Sequence, residues 1–186
     1  MSHQKDPMEY PESLSLFFSQ EVKSAFGSDQ RHPAFVKSLE RLDAADLFVD
    51  REINDPDMAR CCLSGLWILL NEQDRSHEIC QRIKTPEGSY WHGIVHRIEG
   101  DFWNSKYWFA QIGNHTTDLE LTRYMETTFP ADANPILKAL RKSWDSTLFV
   151  DFCEANQTRG TDGWHARKQM ELEQWSVLFR YCYSRA

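Results

Sequence analysis

The sequence predicts an all-α fold, a single domain of six to seven helices around a central antiparallel helical hairpin. Apolar residues recur three or four positions apart through most of the chain, which is the periodicity of an amphipathic helix. No run of strict apolar and polar alternation indicates a sheet. At 186 residues the chain fits one domain covering residues 1–186, of which residues 1–10 are predicted to be disordered or irregular.

Two helices are predicted before the hairpin. The first covers residues 11–26 and ends at Gly27, because one set of apolar residues follows helical spacing. This set comprises Leu14, Phe17, Phe18, Val22 and Phe26. The second helix covers residues 33–48 and follows a loop rich in Ser, Asp and Gln.

The hairpin is predicted over residues 58–113. Asp55 supplies an N-cap signal for a long helix over residues 58–83. A turn at Pro86 separates it from a second long helix over residues 89–113, and so short a connection makes the two helices antiparallel. The remaining predicted helices cover residues 117–128, 135–143, 146–156 and 164–183.

Composition and charge argue against several classes of function. The formal net charge of -7 comes from interspersed charges, so a nucleic-acid partner is not expected. The five cysteines form no Cys-x-x-Cys pair, which indicates neither a disulfide framework nor a thiolate zinc site. No secretory signal, membrane-spanning run or nucleotide-cofactor motif is present. We therefore expect a cytoplasmic protein that binds a small-molecule substrate or ligand and does not associate with a membrane. Its oligomeric state stays open.

Residues 88–108 carry many ionisable and aromatic side chains. On a helical wheel they separate into an apolar stripe and two polar faces. The apolar stripe consists of Trp91, Val95, Ile98, Phe102 and Phe109. One polar face holds His92, His96, Glu99, Trp103 and Tyr107, and the other holds Arg97, Asp101, Asn104 and Trp108. Because glycine inside a helix costs stability, we expect another helix or a ligand to approach closely at Gly93 and Gly100.

The preceding predicted helix contributes polar residues to the same region. Its apolar stripe continues into three polar residues, Asp74, His77 and Gln81. Folding the hairpin is expected to bring His77 and Glu78 level with His92. It should bring Asp74 level with His96. Three histidines and up to three carboxylates would then converge, which suits a metal site, an acid-base site or a buried hydrogen-bond network.

These three interpretations stay open, with haem ligation by His92 or His96 as a further one. In the first, His92 and His96 bind a divalent metal ion, because histidines four positions apart share one helix face; His77 or Glu99 would be the third ligand. The zincin motif is not matched, since Gly93 stands where that motif has its glutamate. In the second, one of these histidines is a general base oriented by a carboxylate. In the third, the residues form a metal-free structural network.

Individual roles follow from these interpretations. The predicted catalytic residues are His77, His92, His96 and Glu99. Arg97 would hold a carboxylate or phosphate of the substrate, and Trp103 and Trp108 would wall the pocket. The other predicted substrate-binding residues are Asp74, Asp101, Asn104 and Tyr107. As a structural alternative, Arg97 and Asp101 have the spacing of a helical ion pair.

Residues 88–109, which begin with the letters GSYWHGI, resemble a pattern in a family of small helical proteins of bacteria and fungi. The likeness extends to residues 61–67, 76–79, 149–154 and 173–175. The resemblance implies a helical fold and favours the same residues as functional, but it brings no activity with it.

The sequence therefore predicts a small intracellular enzyme that acts on a compact polar or aromatic substrate. A biosynthetic role is one interpretation. Its acid-base or metal site would lie on the hairpin of residues 58–113. The cofactor stays open, and a divalent metal ion is the candidate if the site binds metal. The alternative is a non-catalytic ligand-binding or protein-interaction module in which the same residues form a buried hydrogen-bond network. The substrate and the reaction type stay open.

Overall fold

The fold is given by a computed structural model, which describes residues 10–28, 30–49, 51–130 and 134–186. Every regular element in these ranges is helical, so the predicted all-α class is confirmed. The helices there are shorter and more numerous than the six to seven predicted. The irregular start predicted for residues 1–10 falls, apart from Tyr10, outside the described residues.

The region before Asp55 folds into short helical segments instead of the two long helices predicted. They are α1 (Glu12–Ser15), a 3-10 turn (Leu16–Phe18), α2 (Gln20–Ala25), α3 (Pro33–Leu39) and a second 3-10 turn (Ala45–Phe48). The predicted first helix breaks at Ser19, whose hydroxyl caps α2 by accepting a hydrogen bond from the Val22 backbone N–H. The apolar side chains of this region are nevertheless buried, among them Leu14, Phe17, Val22 and Leu39.

The predicted helix over residues 58–83 is divided into α4 (Pro56–Leu69) and α5 (Gln73–Cys80). Asp55 starts α4 as expected, since its carboxylate accepts two backbone hydrogen bonds from the first turn. The break lies at Asn71, which adopts a left-handed backbone conformation with φ of 60°. A right-handed helix cannot continue through such a residue, so the prediction of one long helix was wrong.

The second predicted helix of the hairpin is divided in the same way, into α6 (Pro86–Glu99) and α7 (Phe102–Ala110). Gly100 ends α6 with φ of 84°, a left-handed conformation that glycine adopts without steric cost. Asp101 then caps α7 by accepting a backbone hydrogen bond from its first turn. The helical wheel drawn for this segment is therefore valid only as far as Glu99.

A close approach of another group was expected at Gly93 and Gly100, and within the described residues the structure shows it at Gly93 but not at Gly100. A Cβ on Gly93 would lie 3.0 Å from the Phe109 ring, and the Ser105 hydroxyl donates a 2.7 Å hydrogen bond to the Gly93 carbonyl. Helix α7 therefore packs directly on α6 at Gly93, as expected. For Gly100 the expectation was wrong, because no neighbouring atom lies within 4 Å of where its Cβ would be. Gly100 instead allows the left-handed backbone turn that ends α6.

Four helices complete the described chain: α8 (Asp118–Thr128), α9 (Pro135–Leu140), α10 (Ser146–Ala155) and α11 (Asp162–Arg185). Helix α11 packs on α4, and the Trp175 indole donates a 2.7 Å hydrogen bond to the Gly65 carbonyl. The Trp91 ring of α6 fills the space beside Gly65, where a Cβ would approach to 2.8 Å. The core thus joins α4, α6 and α11. None of the helices in the described part of the chain combines the length and the apolar character that crossing a membrane requires.

Candidate metal centre

Three histidines converge where α5 packs against α6. His77 comes from α5, while His92 and His96 lie one turn apart on α6. The rings of His92 and His96 stack with centroids 4.8 Å apart and an interplanar angle of 23°. His77 lies edge-on to both rings, with centroid distances of 4.5 and 5.2 Å. The structure therefore brings together the three histidines that the sequence singled out.

The ring nitrogens of these histidines are spaced closely enough to share one ion. The Nε2 atoms of His77 and His92 are 2.8 Å apart, and one nitrogen from each of the three rings lies within 4.8 Å of the others. Three ligands of a tetrahedral zinc ion, each about 2.0 Å from the metal, are separated by roughly 3.3 Å. The observed separations bracket that value.

Burial keeps His92 and His96 neutral. They are 5% and 8% exposed, respectively. Burial lowers the pKa of His92 to about 3, and the neighbouring imidazoles of His77 and His96 add to this shift. Burial also lowers the pKa of His96, although the carboxylate of Glu99 opposes the shift. A neutral imidazole has a lone pair available for a metal ion, so neither residue needs to lose a proton at neutral pH before binding one.

Polar groups surround the His96 ring. The Glu99 Oε2 atom lies 3.3 Å from His96 Nδ1, and Asp101 Oδ2 lies 4.0 Å from the same nitrogen. The side-chain amide of Asn104 lies 3.2 Å from His96 Nε2 and 3.3 Å from the Asp101 carboxylate. A carboxylate beside the outer nitrogen of a histidine fixes the tautomer and orients the ring for a metal. By contrast, Nδ1 of His92 is buried without a hydrogen-bond partner in the described part of the chain.

An aromatic path leads from the surface of α7 to the histidines. Trp108 stacks on His92 with ring centroids 4.0 Å apart. Tyr107 meets Trp108 edge-on at 5.5 Å, and Trp103 lies nearly parallel to Tyr107 at 6.2 Å. Trp103 is 78% exposed and Tyr107 is 50% exposed. Of the three aromatic residues predicted near the site, only Trp108 contacts the histidines, while Trp103 and Tyr107 face solvent.

Three polar residues predicted at the level of the cluster lie elsewhere. Asp74 and Gln81 are exposed, and among the described residues no side-chain hydrogen bond or ion pair joins either of them to a histidine ring. Glu78 lines a separate groove formed with α4. The predicted pairing of Asp74 with His96 was wrong because it assumed one continuous helix, whereas α5 starts anew after Asn71.

Arg97 lies in the core, with its charge directed to α11. It is fully buried, and its guanidinium donates a hydrogen bond to the side chain of Gln174. Its Nε atom lies 3.6 Å from Glu171, and its charge lies over the Phe149 ring. The alternative ion pair with Asp101 is not formed in the described structure, because Asp101 lies beyond the end of α6. The sequence did not identify Gln174 as a partner, since the docking of α11 depends on tertiary packing.

Comparison of the chain with protein-family models, with curated proteins and with solved structures finds no match. The function is therefore argued from the geometry of the site. Within the described residues, His77, His92 and His96 form a group whose donor atoms have metal-ligand spacing.

Proposed function

We propose that the protein is a metal-dependent enzyme whose divalent ion is bound by His77, His92 and His96. The proposal is carried by the approach of one nitrogen from each imidazole to within 4.8 Å of the others. Three histidine ligands would leave a tetrahedral ion one position for water or substrate, which is typical of catalytic zinc sites. Imidazole ligands also suit copper, iron and nickel, so the donor set defines a transition metal rather than calcium or magnesium.

The surroundings of the histidines support a catalytic role for the ion. An ion with an open position lowers the pKa of bound water and polarises a substrate oxygen. Glu99, 3.3 Å from His96, would orient that ligand and accept a proton nearby. Trp108 covers the His92 ring and would shield that side from water. The limited exposure of the cluster favours a compact substrate, polar or aromatic, that approaches past Trp108.

Metal binding is tested on the purified chain after metal removal with a chelator. Titration with Zn²⁺ by calorimetry should give one equivalent, and Co²⁺ should give the visible absorption bands of a tetrahedral site. Alanine at His77, His92 or His96 should each weaken Zn²⁺ binding by more than about 100-fold, since even outer-shell changes cost 10–100-fold. The exposed histidine of α11, His165, provides the control, and His165→Ala should leave the affinity unchanged.

The second candidate is a non-catalytic module in which the histidines form a structural network. It is favoured by the 2.8 Å contact between His77 and His92, which two neutral imidazoles make as a hydrogen bond. In that case the wild-type chain binds no stoichiometric metal. His77→Ala then lowers the unfolding temperature by the same amount whether or not Zn²⁺ is added. This result would rule out the metal-dependent enzyme.

A further inference from the structure

A cavity of about 410 Å³ lies on another side of α6 from the histidines. Tyr90, which lines it, is about 200° around the helix from His92, so the cavity and the histidine cluster occupy different faces of α6. The cavity is walled by the end of α7, the start of α8 and the connection from α9 to α10. Its lining includes Tyr90, Phe109, His115, Asp118, Trp144 and Asp145. Its volume falls in the range of small-molecule sites.

The inner wall of this cleft is a hydrogen-bond network that is already satisfied. The hydroxyls of Ser146 and Tyr90 are 3.2 Å apart, and both accept from the side-chain amide of Gln174, at 3.3 and 3.2 Å respectively. The Trp144 indole donates to Ser146 at 3.0 Å. Gln174 in turn accepts a hydrogen bond from the buried Arg97. With these bonds made, the wall gives the cleft its shape and leaves little hydrogen-bonding capacity for a ligand.

The imidazole of His115 is occupied as well. Its Nδ1 atom lies 2.7 Å from the Thr117 hydroxyl and accepts the Thr117 backbone N–H at 3.3 Å. Its Nε2 atom lies 3.4 Å from the Glu87 carboxylate. Both ring nitrogens therefore have partners within the protein, so His115 contributes to the wall of the cleft.

Two carboxylates at the cleft face no Lys or Arg in the described part of the chain. Asp118 accepts a 2.8 Å hydrogen bond from the His115 backbone, and Asp145 caps α10 through a single oxygen. Within the described residues neither forms an ion pair with Lys or Arg, and no Lys or Arg lines the cavity. Burial raises the pKa of Asp118; the hydrogen bond from the His115 backbone and the His115 ring oppose the shift, and the negative charge of Asp145 adds to it. Asp118 is half-buried and Asp145 is exposed, so a cationic ligand would gain most of its electrostatic stabilisation at Asp118.

We propose that this cleft binds a small organic cation, a compound with amino groups on a short carbon chain. Asp118 and Asp145 would receive the ammonium groups, while Phe109 and Trp144 would contact the carbon chain and attract the positive charge through their ring faces. Two acidic side chains and the absence of Lys and Arg from the described lining disfavour phosphates and carboxylates. The inference does not depend on the metal centre, because the two sites share no residue.

The test uses the full chain and three four-carbon probes at constant ionic strength: 1,4-diaminobutane, the uncharged 1,4-butanediol and the anionic succinate. Calorimetry should show saturable binding of the diamine, with the diol weaker by at least about tenfold because it brings no charge. Succinate should not bind. Equal affinity for diamine and diol would overturn the proposal in favour of a polyol site, and no saturable binding of the diamine would overturn it outright.

Variants then locate the bound diamine. Asp118→Asn combined with Asp145→Asn keeps the oxygens that accept backbone hydrogen bonds from His115 and from the first turn of α10, but removes both charges. It should weaken diamine binding by at least about tenfold, because both charge-assisted hydrogen bonds to the ammonium groups are lost. Glu126→Gln removes a negative charge from the exposed surface of α8 and should change the affinity less than about twofold. If the double variant binds as tightly as the wild type, the diamine is not in this cleft and the proposal is wrong.

Discussion

The Nε2 atoms of His77 and His92 lie 2.8 Å apart, within hydrogen-bonding distance, although the two residues belong to separate helices. Neutral imidazoles make this contact with one N–H donor and one lone pair, whereas two imidazolium rings would repel each other. The same nitrogens are those that a shared metal ion would bind. Protons and metal ions therefore compete for one set of atoms.

The metal-free protein is expected to lose stability as the pH falls from 6.5 towards 3. Burial lowers the pKa of folded His92 from its usual 6.5 to about 3, so within this window the unfolded chain binds a proton that the folded chain excludes. The free energy of unfolding should decrease by up to about 1.4 kcal/mol per pH unit for this one group. Urea unfolding at a series of pH values measures the slope.

His92→Asn provides the comparison for this slope. Carboxylates titrate in both proteins, so the difference between the two slopes isolates the contribution of His92. The wild-type slope should be steeper between the two pKa values. Equal slopes would mean that the folded protein does not depress the pKa of His92.

Glu99→Gln is expected to weaken Zn²⁺ binding by about 10- to 100-fold without abolishing it. The Glu99 carboxylate lies 3.3 Å from Nδ1 of His96, where it orients the ring and makes it a stronger donor to a metal. The matched control is Glu78→Gln, which removes an equal charge from an exposed position on α5. Competition with a chromophoric chelator measures both affinities. Equal losses in the two variants would point to the net charge of the protein rather than to orientation of His96.

Glu171→Gln is expected to lower the free energy of unfolding at neutral pH by about 3–5 kcal/mol, because it removes the buried carboxylate that balances the fully buried Arg97 and the partly buried Arg167 and Lys168. The fully buried Glu171 carboxylate lies 2.8 Å from Lys168 and 3.0 Å from Arg167, and Arg97 is 3.6 Å away. Burial opposes its negative charge, but these cations outweigh burial and lower the pKa of Glu171. Urea denaturation measures the loss, with the exposed Glu154→Gln as control.

The sign of the pH dependence provides a second check on Glu171. Because its pKa is lowered by folding, its contribution is present above the usual value of 4.5 and is lost as the pH falls through the folded value. The difference in stability between wild type and Glu171→Gln should therefore shrink in acid. A difference that grows on acidification would contradict the assignment of the charged form.

The sequence predicted the buried side of α6 and the meeting of its histidines with His77, because both depend on local periodicity. Trp91 and Val95 are fully buried, as the apolar stripe required. The break at Gly100 could also have been found, since a glycine followed directly by Asp101 is a helix stop followed by an N-cap. The positions of side chains that contact distant helices were determined by tertiary packing. The burial of Arg97 depends on where α11 docks, which no local pattern encodes.

Asn71 is the clearest case of a helix end determined by tertiary contacts. Its side-chain amide donates to the carbonyls of Ala25, at 2.9 Å, and Gln30, at 3.0 Å. Its Oδ1 atom accepts from the Gly27 N–H at 2.7 Å. Asparagine tolerates the left-handed conformation better than most residues, but only these long-range bonds make it favourable here. The sequence pattern around residue 71 therefore looked like one continuous helix.

Replacing Asn71 should separate the two contributions. Asn71→Gly keeps the left-handed conformation but removes three hydrogen bonds, and we expect a loss of about 2–4 kcal/mol in the free energy of unfolding. Asn71→Ala should lose about 1 kcal/mol more, because alanine is strained at φ of 60°. Chemical denaturation measures both values, and Asn114→Gly, at an exposed loop position, controls for the entropy of glycine. A more stable alanine variant would show that α4 runs on into α5 at little cost.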